Sequence, residues 1–176
     1  MIRQSEEKDI PGLKQLFKVA FDDSEEWIEH FFKTRYKDSV CFIEEEPEKM
    51  KGMLYLFPCL LKINGTFSQT FYVYGVATFP EFRQQGIMYH LLNHAYMYAI
   101  EHGFSGLFLV PASDYLTGLY EKYLFKKYLP INSLEIKSLK KYISKNVFEK
   151  ELLDDRINPD KDYAMIRLSR VIRRIL

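Results

Sequence analysis

The sequence predicts a mixed α/β domain, with a central and largely antiparallel sheet flanked by helices in three layers. Two observations indicate this class: β-rich segments follow one another as an antiparallel meander, and the meander leads into a single long helix. A doubly wound domain would alternate strands and helices strictly, so the meander argues against one. The predicted order of elements is β-α-α-β-β-β-α-β-α-β.

The N-terminal part is predicted to form a strand and two helices. The strand covers Met1–Gln4, and Asp9 is expected to cap a helix whose apolar residues recur at helical spacing. Asp23 or Ser24 would cap a second helix with an aromatic stripe around Trp27. Such a stripe is more typical of core packing than of a ligand site.

The meander comprises three β-rich segments. Val40–Ile43 and Met53–Ile63 are separated by a charged stretch around Pro47. Asn64-Gly65 then supplies a strong hairpin signal before Phe67–Thr78.

The following segment changes to helical periodicity. Apolar residues from Ile87 to Ile100 follow one helical stripe, and Gly103 is a natural terminator. The uninterrupted apolar run Leu107–Val110 is expected to be a central strand with parallel neighbours, buried on both faces.

The remaining chain is predicted as a short helix and further strands. The helix covers Tyr115–Lys122, one strand covers Phe125–Tyr128, and the alternation of Leu134, Ile136 and Leu139 suggests another. The tail past Lys140 is charged, and its residue pattern favours a helix. We expect one catalytic domain over residues 1–130, with residues 131–176 completing the sheet or leading into a following domain.

The amino-acid composition and net charge limit the class of protein to which the chain can belong. The 176 residues are 47% hydrophobic and 16% aromatic, enough for one sizeable core. With a formal charge of +1, the protein has no overall electrostatic field that would attract it to nucleic acid or acidic membranes. No signal sequence or membrane span is recognised, and Cys41 and Cys59 read as buried thiols, so a cytoplasmic protein is expected.

The segment Val76–Met88 carries the chemistry. A strand gives way through Pro80 to a turn containing Gly86, which opens the long helix. The first N–H groups of a helix have no internal partners and the macrodipole adds positive charge, so this geometry favours an anion site.

This segment resembles the central acetyl-CoA motif of the GNAT superfamily, which has Arg or Gln, two residues, Gly, one residue, then Gly or Ala. The matching residues are Arg83-Gln84-Gln85-Gly86-Ile87-Met88. Val76–Pro80 is similar to the family's strand and exit proline, and Leu119–Phe125 to its Phe-Tyr-Glu-Lys-x-Gly-Phe signature.

The sequence departs from these family motifs at two positions. Met88 replaces the last small residue of the motif, and Leu124 replaces the glycine of the downstream signature. Met88, together with Val110–Ser113, is similar to the Eis-like branch, whose members carry additional C-terminal domains.

The resemblance implies an N-acyltransferase that moves an acetyl or other short acyl group from coenzyme A to a primary amine, by direct transfer in a ternary complex. Acetyl-CoA is the implied acyl donor. Its expected binding residues are Val76, Ala77, Thr78, Arg83, Gln84, Gln85, Gly86, Ile87 and Met88. Backbone N–H groups near Val76–Thr78 would meet the tetrahedral oxyanion.

Tyr120 is the candidate general acid. An amine attacking a thioester releases a thiolate, and a phenol with an ordinary pKa near ~10 stays protonated at neutral pH and can donate to it. The competing interpretation of Tyr120 is packing within an aromatic-rich helix.

The general base is left open among Glu44, Glu45, Asp114 and His102. His90 and His94 are four residues apart on one helix, but two ligands without a third do not predict a metal.

Two other functions stay open. The chain could be a regulatory module that binds coenzyme A without transfer, or the catalytic part of a larger Eis-like protein in which Tyr163–Leu168 is a strand of a following domain. The acceptor is a small-molecule or peptide amine, and a homo-oligomer is left open.

Overall fold

The computed structural model describes residues 1–47, 49–130, 133–138 and 162–169. The chain divides into two compact units, Met1–Phe57 with Val73–Ala95, and Pro58–Tyr72 with Tyr96–Leu176. Predictions for Leu139 and for the charged tail past Lys140 fall largely outside the described residues.

The elements follow the predicted order, and the fold class is confirmed as mixed α/β with a largely antiparallel sheet flanked by helices. The helices are α1 Ile10–Phe21, α2 Glu25–Thr34, α3 Ile87–Glu101 and α4 Asp114–Lys122. The strands are β1 Ile2–Gln4, β2 Val40–Glu46, β3 Lys49–Ile63, β4 Thr66–Thr78, β5 Gly106–Leu109, β6 Lys126–Pro130, β7 Ile136–Ser138 and β8 Tyr163–Leu168.

In the first unit, β1, β2 and β3 are antiparallel neighbours. Ile2 lies opposite Glu44, and Cys41 lies opposite Tyr55. Both β2 and β3 reach further than predicted, because β2 continues to Glu46 and β3 begins at Lys49. The charged residues Glu45, Glu46 and Lys49 therefore belong to the strands instead of separating them.

Aromatic side chains form the core of the first unit. The Phe17 ring of α1 lies 4.9 Å from the Phe31 ring of α2 and 5.7 Å from the Tyr55 ring of β3. Trp27 stacks on Phe31 at 5.5 Å. The aromatic stripe of α2 is therefore packing, as the sequence predicts.

The two helix caps have different outcomes. Ser24 caps α2, accepting from the N–H of Trp27 at 3.2 Å. Asp9 occupies the predicted N-cap position of α1, but its side chain makes no capping hydrogen bond to that helix. Its two oxygens accept from the Arg3 guanidinium at 2.7 and 2.9 Å and one also accepts from the N–H of Glu6, so the carboxylate is committed to a charge-assisted pair.

The hairpin at Asn64-Gly65 is confirmed. Both residues have positive φ, 48° and 81°, the backbone that a two-residue turn of this kind requires between twisted strands.

In the second unit, β5 is buried between two neighbouring strands, one parallel and one antiparallel to it. It runs parallel to β4, with Phe71 opposite Leu107, and antiparallel to β8, with Leu107 opposite Arg167. The expectation of parallel neighbours on both sides is therefore wrong for one side. Gly106 permits this close pairing, because a Cβ there would lie 2.1 Å from the Arg167 carbonyl oxygen.

The strand β8 belongs to the second unit. It pairs antiparallel with both β5 and β6. The other late strand, β7, pairs with β3 at Cys59–Leu61. Among the described residues, the helices are too short or too polar to cross a bilayer.

Candidate functional site

The predicted anion site lies in the first unit, where β4 ends and α3 begins. Thr78 is the last residue of β4, Pro80–Phe82 forms one turn of 3-10 helix, and α3 starts at Ile87. Gln84 and Gly86 both adopt left-handed backbone conformations, with φ of 62° and 78°. These two reversals turn the chain from the strand into the helix.

The turn exposes its polar residues and anchors its apolar one. The four residues 83–86 are exposed, whereas Ile87 is buried and Met88 is half-buried. Two side chains fold back on the turn: Arg83 Nε donates to the Thr78 carbonyl oxygen at 3.4 Å, and Gln85 Nε2 donates to that of Glu81 at 3.2 Å.

The first turn of α3 offers unpaired donors. The described residues supply no hydrogen-bond partner for the backbone N–H groups of Gly86, Ile87 and Met88, while the Gly86 carbonyl accepts the first helical bond from His90 at 3.0 Å. Three such amides at the positive end of the helix macrodipole are a geometry suited to an anion.

Gly52 in β3 sets how closely α3 packs on the strands. A Cβ at this position would lie 2.7 Å from Cγ2 of Ile87 and 2.8 Å from the Ala77 carbonyl oxygen. Sequence reasoning missed this residue. The available signal was an isolated glycine inside a β-rich run, which often marks a close backbone approach.

Gly75 gives β4 an irregular segment before the predicted oxyanion donors. Its φ of 58° is left-handed, and a Cβ there would lie 2.9 Å from Cδ2 of Tyr55. Val76 and Thr78 are half-buried and Ala77 is buried. A left-handed glycine within a strand is typical of a bulge, which redirects the following backbone groups. This residue was also missed.

Tyr120 lies in the second unit, in the last turn of α4. Its side chain is 7% exposed, its ring lies 5.8 Å from that of Phe125 in an edge-on arrangement, and its hydroxyl makes no hydrogen bond with a described residue. Burial raises the pKa of Tyr120 above its ordinary value. The phenol is therefore protonated at neutral pH.

A complete Schellman motif ends α4 directly after Tyr120. The N–H of Phe125 donates to the Tyr120 carbonyl and the N–H of Leu124 donates to the Glu121 carbonyl, each at 3.1 Å. Leu124 has φ of 69° and a side chain that is 57% exposed. It therefore adopts the conformation that a glycine would adopt at this position, and the motif forms despite the substitution.

The four candidate general bases have different surroundings. Glu44 is buried and lies 3.2 Å from Nδ1 of His90. Glu45 accepts from the Arg3 guanidinium at 2.7 Å. Asp114 is exposed in the first turn of α4, and the Nδ1 of exposed His102 lies 2.8 Å from the Tyr98 carbonyl oxygen.

The described residues contain no cluster of three or more His, Cys, Asp or Glu side chains suited to a metal. The His94 ring packs edge-on against Phe42 at 4.6 Å, away from any shared ligand role with His90. Cys41 and Cys59 are free and buried, and burial raises the pKa of each thiol to about 12.

Residues 1–127 match the family model of the acetyltransferase (GNAT) domain. This match covers more than half of the chain, and the chain belongs to the GNAT acetyltransferase family. A sequence comparison with curated proteins found no match.

Solved structures show the same fold. A GNAT family acetyltransferase from Brucella melitensis in complex with acetyl-CoA aligns with a TM-score of 0.60 and 19% identity, over 79% of this chain and 87% of that one. An IAA acetyltransferase from Bacillus cereus aligns with a TM-score of 0.60 and 18% identity, over 96% and 99%.

A longer relative in fold is the probable N-acyltransferase from Enterococcus faecalis, with a TM-score of 0.63 and 16% identity. The alignment covers 72% of this chain but only 32% of that protein. The aligned part of this chain therefore corresponds to about a third of the Enterococcus protein.

The strained Schellman motif predicts that Leu124→Gly stabilises the fold. A left-handed L-residue costs about 1–2 kcal/mol, and the greater unfolded-state entropy of glycine offsets part of that gain. We expect the free energy of unfolding to rise by about 0.5–1 kcal/mol, measured by chemical denaturation. Leu119→Gly, inside α4, is the matched control and should lower it. A loss of stability in both variants would contradict the account.

Proposed function

We propose that this GNAT domain transfers an acetyl group, or another short acyl group, from coenzyme A to a primary amine in a direct ternary complex. The observation that carries the proposal is the turn at the start of α3, with three unpaired backbone N–H groups inside the segment that the GNAT family model covers. We propose that these groups hold the pyrophosphate of acetyl-CoA.

The remaining predicted residues have roles around this turn. Arg83, Gln84 and Gln85 form the exposed rim on which the anionic cofactor is expected to lie. Met88 contributes its backbone N–H, so its larger side chain is compatible with binding. Val76, Ala77 and Thr78 would line the pantetheine and offer backbone N–H groups to the oxyanion.

The transfer reaction balances without a covalent enzyme intermediate. The neutral amine attacks the thioester carbonyl, the C–N bond forms, and the tetrahedral intermediate collapses with cleavage of the C–S bond. After the attack, the positively charged nitrogen loses a proton to a general base, which is not assigned. The phenol of Tyr120 protonates the departing thiolate, and its phenolate regains a proton through solvent as the base releases its own.

Two properties of Tyr120 support this role. No described residue is hydrogen-bonded to its hydroxyl, and the Schellman motif fixes the last turn of α4. Burial in a low-dielectric environment also strengthens interaction with a developing anion.

The acceptor is proposed as a chemical class, together with a cellular location. We propose a small-molecule or peptide amine as acceptor and a cytoplasmic location, the latter supported by two free thiols. Membership of the Eis-like branch rests on Met88 and Val110–Ser113, and the partial coverage of the Enterococcus protein is compatible with it. A homo-oligomer stays open.

The alternative is a regulatory module that binds coenzyme A without transfer. The sequence feature that favours this alternative is the replacement of two small residues of the family motifs by Met88 and Leu124. Leu124 nevertheless keeps the glycine-like backbone conformation, so the observed geometry favours the transferase.

Acetyl-CoA is expected to stabilise the protein against heat. A ligand bound only by the native state adds RT ln(1 + [L]/Kd), about 2.7 kcal/mol at 100 times Kd. Gly86→Asp should abolish the shift in Tm, because it places a carboxylate at the anion site.

Gly65→Asp is the matched control, since Gly65 also has a positive φ, of 81°, but lies in the β3–β4 hairpin. It should keep the acetyl-CoA shift. The cofactor assignment fails if folded wild-type protein shows no shift at millimolar acetyl-CoA, or if the two variants respond alike.

Tyr120→Phe is expected to separate catalysis from packing. The variant removes one hydroxyl and keeps the ring contact with Phe125, so the fold and the acetyl-CoA shift in Tm should survive. Steady-state kinetics with an acceptor amine, found by screening pooled amines for acetyl-CoA consumption, should show kcat reduced by about 10²- to 10⁴-fold. Turnover within about twofold of wild type, with chemistry limiting the rate, would remove Tyr120 from the mechanism.

A further inference from the structure

The buried carboxylate of Glu44 holds the imidazole of His90 beside the anion-binding turn. The Glu44 side chain is 12% exposed and comes from β2, whereas His90 lies in the first turn of α3. Both Glu44 oxygens lie 3.2 Å from His90 Nδ1. A buried carboxylate is costly unless it is paired or hydrogen-bonded, and His90 meets that need.

The other ring nitrogen of His90 faces the turn. Nε2 of His90 lies 3.5 Å from the position that a Cβ on Gly86 would occupy. The His90 side chain is 49% exposed, so solvent and ligand can reach it. An imidazolium donates from both nitrogens, and donation from Nδ1 to Glu44 leaves the Nε2–H for a second acceptor.

We propose that His90, oriented by Glu44, donates a hydrogen bond from Nε2 to the pyrophosphate of coenzyme A at the start of α3. This inference rests on the proposed cofactor site and adds a side-chain donor to its backbone amides. A hydrogen bond to an anionic phosphate is charge-assisted, so the contact should contribute measurably to affinity.

Glu44 acts in this account as a positioning residue. It fixes the ring orientation, as carboxylates do for many functional histidines, and does not itself touch the cofactor. This distinguishes it from the general base that the sequence left open. The role also explains why an acid is retained among the buried residues Phe42 and Ile43 of β2.

The test is calorimetric titration of wild type, His90→Ala and Glu44→Ala, and of the double variant, with coenzyme A and with dephospho-coenzyme A. We expect His90→Ala to weaken both ligands by about 10-fold or more. Glu44→Ala should weaken both in the wild-type background and add little in the His90→Ala background, because it acts through the ring. Glu44→Gln, which can still accept from Nδ1–H, should restore part of the loss.

His30→Gln, an exposed histidine of α2, is the control and should bind like wild type. Equal Kd values for folded wild type and His90→Ala overturn the inference while leaving the cofactor site intact. The inference is also overturned if His90→Ala weakens the binding of coenzyme A but not that of dephospho-coenzyme A. The His90 contact would then be to the 3′-phosphate. A full additional loss from Glu44→Ala in the double variant rejects the positioning role. Absence of binding by wild type would defeat the proposed function itself.

Discussion

The candidate cofactor site depends on the close contact between the first turn of α3 and the strands beneath it. Ile87 is buried, and its Cγ2 lies where a side chain at Gly52 would need to be. The Ala77 carbonyl approaches the same point. Because packed interiors tolerate little added volume, even a methyl group at Gly52 would displace the helix start or the strand. The orientation of the unpaired amides of residues 86–88 follows from this contact, so a residue outside the turn sets the geometry of the candidate anion site.

A similar constraint acts at the end of α4. Leu124 accepts a left-handed conformation because two backbone hydrogen bonds and the Tyr120–Phe125 ring contact together favour the turn. The local strain is thus offset by interactions that also hold the last helical turn. A substitution that looks disruptive in the signature is accommodated in a left-handed backbone conformation, and Tyr120 is buried.

Much of this was predictable from sequence because the signals were local. The Asn64-Gly65 hairpin, the helix beginning at Ile87 and the glycine turn before it follow from backbone preferences and periodicity over a few residues. The failures involve partners distant in sequence. The strand β5 pairs with β8, which lies more than fifty residues later. The pairing of Glu44 with His90 joins residues 46 positions apart, and neither periodicity nor a motif marks it. Gly52 and Gly75 were visible as glycines in strands, but the atoms that they accommodate come from other elements.

The central claim is that the backbone amides at the start of α3 bind the pyrophosphate of acetyl-CoA. Two-dimensional ¹H–¹⁵N NMR spectra recorded during an acetyl-CoA titration test it most directly, because each amide reports separately. The account predicts that the signals of Gly86, Ile87 and Met88 show the largest shifts, while that of Gly65 in the β3–β4 hairpin stays in place. Saturable shifts elsewhere, with the amides of residues 86–88 unchanged, would contradict it.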